Sequence, residues 1–306
     1  MNKRVIKNTT KEISPIIMGC MRLTKLTEDE AVSHIKNGYD HGVNFFDHAD
    51  IYDGGKCEEL FGKAFKKTGI KREDVFIQSK CGIVPGKMYD LSKKHILESV
   101  DGILERLGTP YLDSLLLHRP DALIEPSEVW EAFYNLEKEG KVRYFGISNF
   151  NSMQIRLLQK YVEFPLLFNQ MQLSPVHCPL ITQGLEVNMD SDGAINRDDS
   201  TLDYCRLHNI TIQAWSPFQH GFIEGPFLNN PKYEKLNKVL EKIGEKYNVS
   251  STTIVTSWLL RHPCNMQVIA GTMNKNRFNE ICKARDIEIT RDEWYEIYMA
   301  SGNILP

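Results

Sequence analysis

The chain has 306 residues, of which 42% are hydrophobic, so it holds enough apolar side chain for one large buried core. Its 37 basic and 40 acidic residues give a net charge of −3, which excludes the strongly basic surface of a nucleic-acid or anionic-membrane binder. A small molecule is therefore the expected partner, and we expect contact with neither nucleic acid nor membrane.

Eight short apolar runs predict β-strands. In chain order they are Ile16–Gly19, Asn44–Asp47, Val75–Ser79, Ser114–His118, Val142–Ile147, Leu166–Gln170, Thr211–Trp215 and Gln267–Ala270. Segments with apolar residues at every third or fourth position lie between many of them and predict amphipathic helices. These segments are Asp29–Asn37, Glu58–Lys67, Ser92–Leu107, Pro126–Glu139, Ser152–Tyr161 and Pro231–Tyr247.

The alternation of strand and helix favours a parallel sheet closed into a (β/α)8 TIM barrel, a single domain over residues 1–306. An open doubly wound sheet is the main alternative, but its GxGxxG signature occurs nowhere in the sequence. Two segments lie outside the eightfold pattern. Leu180–Ser200 is polar and predicts a long loop, whereas Thr290–Pro306 opens with a capping box and predicts an extra C-terminal helix and tail.

Targeting signals and cysteine usage bear on the compartment. Residues 1–16 contain no apolar stretch long enough for a secretory signal, and no apolar run approaches the ~20 residues that cross a bilayer. The seven cysteines form no CxxC pair, and their irregular spacing argues against a disulfide framework or a structural zinc site. We expect a soluble, cytoplasmic protein with reduced thiols, and no close histidine spacing suggests a metal site.

Four ionisable residues fall at or just beyond predicted strand ends. Asp47 closes the second strand and Tyr52 follows it, while Lys80 and His118 come at the ends of the third and fourth strands. Because the carboxyl ends of parallel barrel strands meet at one face, we expect these four side chains to converge there. Each residue taken alone is better explained as a cap, a surface group or a core residue. Their joint placement is what predicts a catalytic site.

This set suits the reduction of a carbonyl group. A carbonyl that accepts a hydride develops negative charge on oxygen and needs a proton, but tyrosine, with a pKa of about 10, is a poor donor at neutral pH. A neighbouring Lys80 ammonium is expected to lower the pKa of Tyr52, and Asp47 to keep Lys80 charged and oriented. His118 can then position the substrate oxygen by donating a hydrogen bond.

Five stretches resemble signature segments of the aldo-keto reductases, in the same order and at similar spacing. They are GVNFFDHADIYDGGKCEELFG, FIQSKCGI, LDSLLLHRPD, GKVRYFGISNF and LFNQMQLSP. The resemblance runs from about Met18 to Arg277, and the wording DHADIY and SKCGI is similar to an uncharacterised bacterial branch of the family. It implies that Tyr52 is the general acid, that Lys80 and Asp47 tune it, and that His118 orients the carbonyl.

The resemblance also implies a cofactor site. By position, Ser148, Asn149 and Gln170 match residues that bind the nicotinamide carboxamide, and Trp215 matches the aromatic residue that stacks on the nicotinamide ring. Ser216 and Phe218 would open a loop across the pyrophosphate. The structural alternatives are that Ser148 and Asn149 cap the next helix, that Gln170 satisfies a backbone group and that Trp215 is a core residue.

The segment after the last strand matches the part of the family that binds the adenosine 2′-phosphate. Many members carry a lysine where this chain has Gly271, but Thr272 and Arg277 remain, and the planar fork of an arginine suits a phosphate. The structural alternative is a solvated helix N-terminus near Asn274. We expect NADPH rather than NADH.

Two other functions remain open. Lys80 could form a Schiff base with a carbonyl substrate, as in barrel aldolases. Alternatively, the chain could resemble those family members that bind the cofactor tightly and serve as regulatory subunits of ion channels with little turnover. The oligomeric state expected from the resemblance is a monomer or weak oligomer.

Overall fold

A computed structural model of the chain describes residues 4–5, 9, 11–197, 199–222 and 224–304. Much of the N-terminal segment 1–16, in which no secretory signal was expected, lies outside these ranges, as do the last two residues of the predicted tail. In the described ranges, no helix is long and apolar enough to span a membrane.

Eight parallel strands close into a barrel, as the sequence predicts, and the open sheet is excluded. We number them β1 to β8: Ile16–Gly19, Phe45–Asp47, Phe76–Cys81, Leu112–Leu117, Val142–Ser148, Leu166–Gln172, Thr211–Trp215 and Gln267–Ala270. Neighbours in sequence are neighbours in the sheet, and β8 closes the barrel by pairing in parallel with β1, where Val268 lies opposite Ile16.

Eleven helices lie in the described ranges. We number them α1 to α11: Glu28–Asp40, Lys56–Thr68, Lys93–Leu107, Pro126–Lys138, Ser152–Gln159, Pro179–Leu185, Thr201–His208, Glu234–Tyr247, Ser251–Arg261, Lys275–Lys283 and Arg291–Ala300. Three two-stranded hairpins lie outside the barrel, at Arg4–Val5 with Glu12–Ile13, Ile83–Val84 with Met88–Tyr89, and Gln219–His220 with Gly225–Pro226.

The predicted loop Leu180–Ser200 is wrong in its first part, because α6 occupies Pro179–Leu185. Pro179 stands in the first turn of this helix, where its missing N–H does no harm, and Leu180 and Ile181 are buried in the core. The sequence after α6 is polar, and up to Ser200 its described residues form only a short 3-10 turn at Asp192–Ala194. The predicted C-terminal helix is present as α11, and Thr290 forms its capping box with Glu293.

Side chains inside the barrel form an apolar layer with a polar layer above it. Phe45, Phe76 and Phe168 pack together with ring centroids 4.5–6.0 Å apart. Because side chains alternate across a strand, the residue two positions after each phenylalanine faces inward as well. Those residues are Asp47, Gln78 and Gln170, all buried. The polar layer lies closer to the carboxyl ends of the strands, where barrel active sites form.

Candidate active site

Neighbouring barrel strands bring the four predicted catalytic residues to one place. Asp47 is the last residue of β2, and Lys80 is the last but one of β3. His118 directly follows β4, and its backbone N–H donates to the carbonyl of Cys81 at 2.9 Å. Tyr52 begins a 3-10 turn between β2 and α2.

The Lys80 ammonium is buried and has three hydrogen-bond partners. Its Nζ donates to Asp47 Oδ2 at 2.8 Å, to the backbone carbonyl of His48 at 2.6 Å and to the Tyr52 hydroxyl at 3.0 Å. Burial lowers the pKa of Lys80, but Asp47 and Tyr52 raise it by more, so the pKa lies above its usual value. Lys80 is therefore a cation at neutral pH, and it is held against the hydroxyl oxygen of Tyr52.

The turn that carries Tyr52 is shaped by glycines and held by a partly buried ion pair. Gly55 has φ +91°, and a Cβ there would lie 2.7 Å from Cδ of Arg106. Arg106 Nε donates to Glu58 at 2.8 Å, and the other carboxylate oxygen of Glu58 accepts from Ser79 Oγ at 2.6 Å. Because Ser79 precedes Lys80, these contacts join the start of α2 to the strand that carries the lysine.

Opposing effects act on the pKa of Tyr52. Burial raises it and the Lys80 ammonium lowers it, while the nearby Asp47 raises it again, and the net pKa is above the ordinary value. Lys80 therefore lowers the pKa of Tyr52, as the sequence suggested, but the effect of burial is larger. The hydroxyl is consequently protonated at neutral pH.

His118 faces the Tyr52 ring edge-on, with ring centroids 6.1 Å apart. Burial, and then Lys80 and Arg119, hold the pKa of His118 well below its usual value, so the imidazole is neutral. Its Nδ1 is buried and has no hydrogen-bond partner among the described residues. A neutral imidazole keeps one N–H donor, which is what a ligand oxygen beside the Tyr52 hydroxyl requires.

The second oxygen of Asp47 accepts two amide hydrogen bonds that the sequence did not predict. Gln78 Nε2 donates to Asp47 Oδ1 at 2.8 Å, and Gln170 Nε2 donates to the same oxygen at 3.1 Å. The signal in the sequence was the glutamine inside FIQSK, a polar side chain two positions before Lys80 in a strand predicted to be buried. Gln170, which is predicted to bind nicotinamide, is thus hydrogen-bonded to the carboxylate of Asp47.

Ser148, Asn149 and Trp215 form a second hydrogen-bonded group beside Gln170. Ser148 Oγ donates to the carbonyl of Gln170 at 2.9 Å, and Asn149 Nδ2 donates to Ser148 Oγ at 2.8 Å. Trp215 Nε1 donates to Asn149 Oδ1 at 3.3 Å. The capping alternative does not hold, because Asn151 caps α5 by accepting from the N–H of Gln154.

Beyond Trp215 the chain leaves the barrel in a strained turn. Trp215 is only partly buried, so part of its indole surface remains accessible as a flat platform. Ser216 has φ +51°, a left-handed conformation that is unusual for serine, and such strain is found preferentially at ligand-binding sites. Phe218 is partly buried against the outer core, and its carbonyl accepts from Phe227 N–H at 3.1 Å.

The predicted phosphate-binding residues lie around the N-terminus of α10. Asn274 caps the helix by accepting from the backbone N–H of Arg277, and the N–H of Asn274 donates to Thr272 Oγ1 at 3.2 Å. Arg277 is exposed, and none of the ion pairs between described residues involves its guanidinium. The helix start that was predicted near Asn274 is confirmed.

A cation that the sequence did not single out lies beside Gly271. Arg22, in the loop after β1, places Nη1 3.5 Å from the carbonyl of Gly271. A Cβ at position 271 would lie 3.3 Å from this nitrogen, so the guanidinium lies close to the direction a side chain there would take. Arg22 thus brings positive charge next to Gly271, where the family resemblance implied a lysine in many members. The two residues are far apart in sequence and meet because β1 pairs with β8.

Comparisons with known proteins identify the family to which the chain is similar. A sequence model described as the aldo/keto reductase family matches residues 15–300. The uncharacterized oxidoreductase YcsN of Bacillus subtilis is 37% identical over 94% of both chains, and the oxidoreductase YdhF of Escherichia coli is 35% identical over 95% of this chain and 94% of its own. The crystal structure of a thermostable aldo-keto reductase, Tm1743, in complex with the inhibitor epalrestat is similar with a TM-score of 0.79 and 25% identity, covering 98% of this chain and all of the other.

Proposed function

Because the chain belongs to the aldo/keto reductase family and is an NAD(P)H-dependent oxidoreductase, we propose that it reduces an aldehyde or ketone to the alcohol with NADPH as cofactor. The observation that carries the proposal is the 3.0 Å contact between Lys80 Nζ and the Tyr52 hydroxyl, backed by the 2.8 Å contact of the same Nζ with Asp47. The bound nicotinamide would supply the hydride.

Tyr52 is the proton donor of this proposal. When the carbonyl oxygen gains negative charge, the Tyr52 O–H can transfer its proton, and the phenolate that results is stabilised by the adjacent Lys80 ammonium. Asp47 fixes the position of Lys80 and compensates its buried charge. His118 donates a hydrogen bond to the same substrate oxygen and orients it towards Tyr52.

The residues present fit a nicotinamide dinucleotide. Gln170 Oε1 has no hydrogen bond within the described chain and can accept from the carboxamide N–H, while Ser148 and Asn149 line the same side. The partly exposed Trp215 ring offers a stacking surface, and Ser216 and Phe218 begin the loop expected across the pyrophosphate.

At the other end of the site, the charges favour a cofactor with an extra phosphate. Thr272, the N-terminus of α10 and the exposed Arg277 provide donors for an anion, and Arg22 adds a second guanidinium beside Gly271. These groups support NADPH over NADH.

The Schiff-base alternative has less support. A lysine that attacks a carbonyl must lose its proton, whereas Asp47 and Tyr52 raise the pKa of Lys80. The amine is also fully buried and engaged by three acceptors. The second alternative, a regulatory subunit with little turnover, would use the same side chains, so it is separated by measured turnover.

The test is NADPH oxidation by the purified full chain over a panel of aldehydes, ketones and quinones. We expect steady turnover with at least one activated aldehyde, and the preferred compounds will define the substrate class. Tight NADPH binding with no turnover over the whole panel would favour the regulatory role. Trapping of a carbonyl compound on Lys80 by borohydride, without any cofactor, would favour the Schiff-base enzyme.

A further inference from the structure

Four buried glutamines occupy the barrel interior, where branched apolar side chains are the rule. Gln78 lies on β3, Gln170 on β6, Gln213 on β7 and Gln267 on β8, and none is more than 4% exposed. A buried amide destabilises the fold unless its N–H and C=O groups have partners. Apolar residues would fill this space without the free-energy cost of unpaired polar groups. Packing alone therefore does not explain the four amides.

Hydrogen bonds connect these amides to the catalytic carboxylate. Gln78 Nε2 donates both to Asp47 Oδ1 at 2.8 Å and to Gln213 Oε1 at 2.9 Å, and Gln213 Nε2 returns a bond of 3.3 Å to Gln78 Oε1. Gln170 Nε2 likewise donates to Asp47 Oδ1 at 3.1 Å and to Gln213 Oε1 at 3.2 Å. Gln213 Oε1 therefore receives one N–H from each of the two amides that bind Asp47.

The direction of every bond in this network is set at its two ends. A carboxylate only accepts, so Gln78 and Gln170 must present Nε2 to Asp47. Their remaining N–H groups then require the oxygen of Gln213, whose Nε2 donates to Gln267 Oε1 at 3.1 Å. At the other end, Gln267 Nε2 donates to the carbonyl of Ser14 at 2.9 Å. Gln78 Oε1 also accepts from Ser114 Oγ at 2.9 Å.

Two of these contacts cross the barrel. In the closed sheet, β2 lies opposite β6 and β3 lies opposite β7. The bond from Gln170 to Asp47 spans the first pair of strands, and the reciprocal bonds between Gln78 and Gln213 span the second. The polar layer thus fixes opposite walls of the barrel just below the face where Lys80 and Tyr52 lie. It rests on the layer of Phe45, Phe76 and Phe168, which excludes water from below.

We propose that Gln213, together with Gln78, is a positioning residue that holds Asp47 and Gln170 in one rigid unit. In this unit Asp47 directs Oδ2 to Lys80, and Gln170 is left with Oε1 facing the nicotinamide site. The proton-donating end of the site and the cofactor-binding end are thereby aligned by the same hydrogen bonds. The inference rests on the proposed function, since it names how that site is kept in order.

The test compares Gln213→Leu with the wild type. The hydrogen bonds of Gln213 go to Gln78, Gln170 and Gln267 and to none of Lys80, Tyr52 and His118, so a loss of activity is expected to act through these neighbours. We expect kcat for an activated aldehyde to fall about tenfold or more with the carbonyl KM unchanged, because small misplacements of reacting groups cost rate rather than binding. NADPH affinity should weaken too, because Gln170 loses its second partner.

A matched control separates positioning from general loss of stability. Ile17→Ala opens a cavity in the same barrel interior without removing any hydrogen bond of the polar network, and it should lower the unfolding temperature while leaving kcat near the wild-type value. The decisive step places Gln213→Leu on an Asp47→Asn background. If Gln213 acts through Asp47, its effect on kcat largely disappears there, whereas a structural role gives the same fold loss in both backgrounds.

Equal fold losses in the two backgrounds, or an equal loss in Ile17→Ala, would overturn the proposal. If Gln213→Leu does not fold, Ser114→Ala removes one donor to Gln78 and should give the same pattern in smaller measure. If the wild type binds NADPH but reduces no carbonyl, the proposed function fails by itself. The network is then judged by NADPH affinity, which Gln213→Leu should weaken and Ile17→Ala should not.

Discussion

Asp47 serves both ends of the candidate site. One carboxylate oxygen accepts from Lys80 and the other accepts from Gln78 and Gln170, so a single buried side chain links the proposed proton-donating group to the amide that we propose binds the cofactor. The outer end of the candidate site has exposed positive charges instead. Arg22 and Arg277 reach there from β1 and α10, and neither has an ion-pair partner among the described residues.

Arg277→Ala tests the role of this charge. We expect the Kd for NADPH to rise about tenfold or more and the Kd for NADH to change little, because only NADPH has a 2′-phosphate for the guanidinium to bind. Fluorescence titration with each cofactor measures both values. Lys283→Ala removes a cation at the other end of α10, where it pairs with Glu280, and is the control. An equal effect of Arg277→Ala on both cofactors would remove the 2′-phosphate role.

At the scale of elements, the strands were easier to predict than the helices. Three strands have the predicted bounds, because short apolar runs between polar segments leave little choice. Helix α9 was missed because Thr253–Leu260 is buried on every side, so its sequence has no amphipathic period and resembles a strand. Helix α7 has only eight residues and follows a polar segment. In contrast, the capping box at Thr290 is a local signal and was predicted correctly.

Glu293, at the start of α11, should make the free energy of unfolding decrease at acid pH. Burial acts to raise the pKa of Glu293, but hydrogen bonds from Lys246, the Thr290 backbone and Tyr247 outweigh it and lower the pKa to about 2. An acid whose pKa is lower in the folded state adds stability above its unfolded pKa of about 4.5, and this stability is lost as the pH falls towards about 2.

Glu293→Gln should therefore lower the free energy of unfolding by about 1–3 kcal/mol at neutral pH, and the difference from the wild type should shrink as the pH falls from about 4.5 to about 2. Urea unfolding at a series of pH values measures it. Glu296 lies on the same helix as Glu293 and forms a more exposed pair with Lys242. Glu296→Gln breaks this pair and should change stability little. A pH-independent difference for Glu293→Gln would contradict the role of the carboxylate charge.

At the scale of the whole molecule, the sequence predicted the barrel and the meeting of Asp47, Tyr52 and Lys80, because parallel strands deliver their carboxyl ends to one face. It did not predict which inward side chains touch across the barrel. Gln78 and Gln213 are 135 positions apart on opposite strands, and their contact depends on how the closed sheet staggers its strands. For the same reason, the sequence did not predict that Arg22 lies close to Gly271, since the closed barrel brings these residues together.

The most direct test of carbonyl reduction through Tyr52 is NADPH oxidation by Tyr52→Phe with an aldehyde that the wild type reduces. The variant keeps the ring that packs beside His118 and loses only the hydroxyl that Lys80 contacts. We predict that NADPH affinity is unchanged and that kcat falls by about 100-fold or more, because the proton donor is gone. Turnover equal to that of the wild type would contradict the assignment of Tyr52 and, with it, the mechanism.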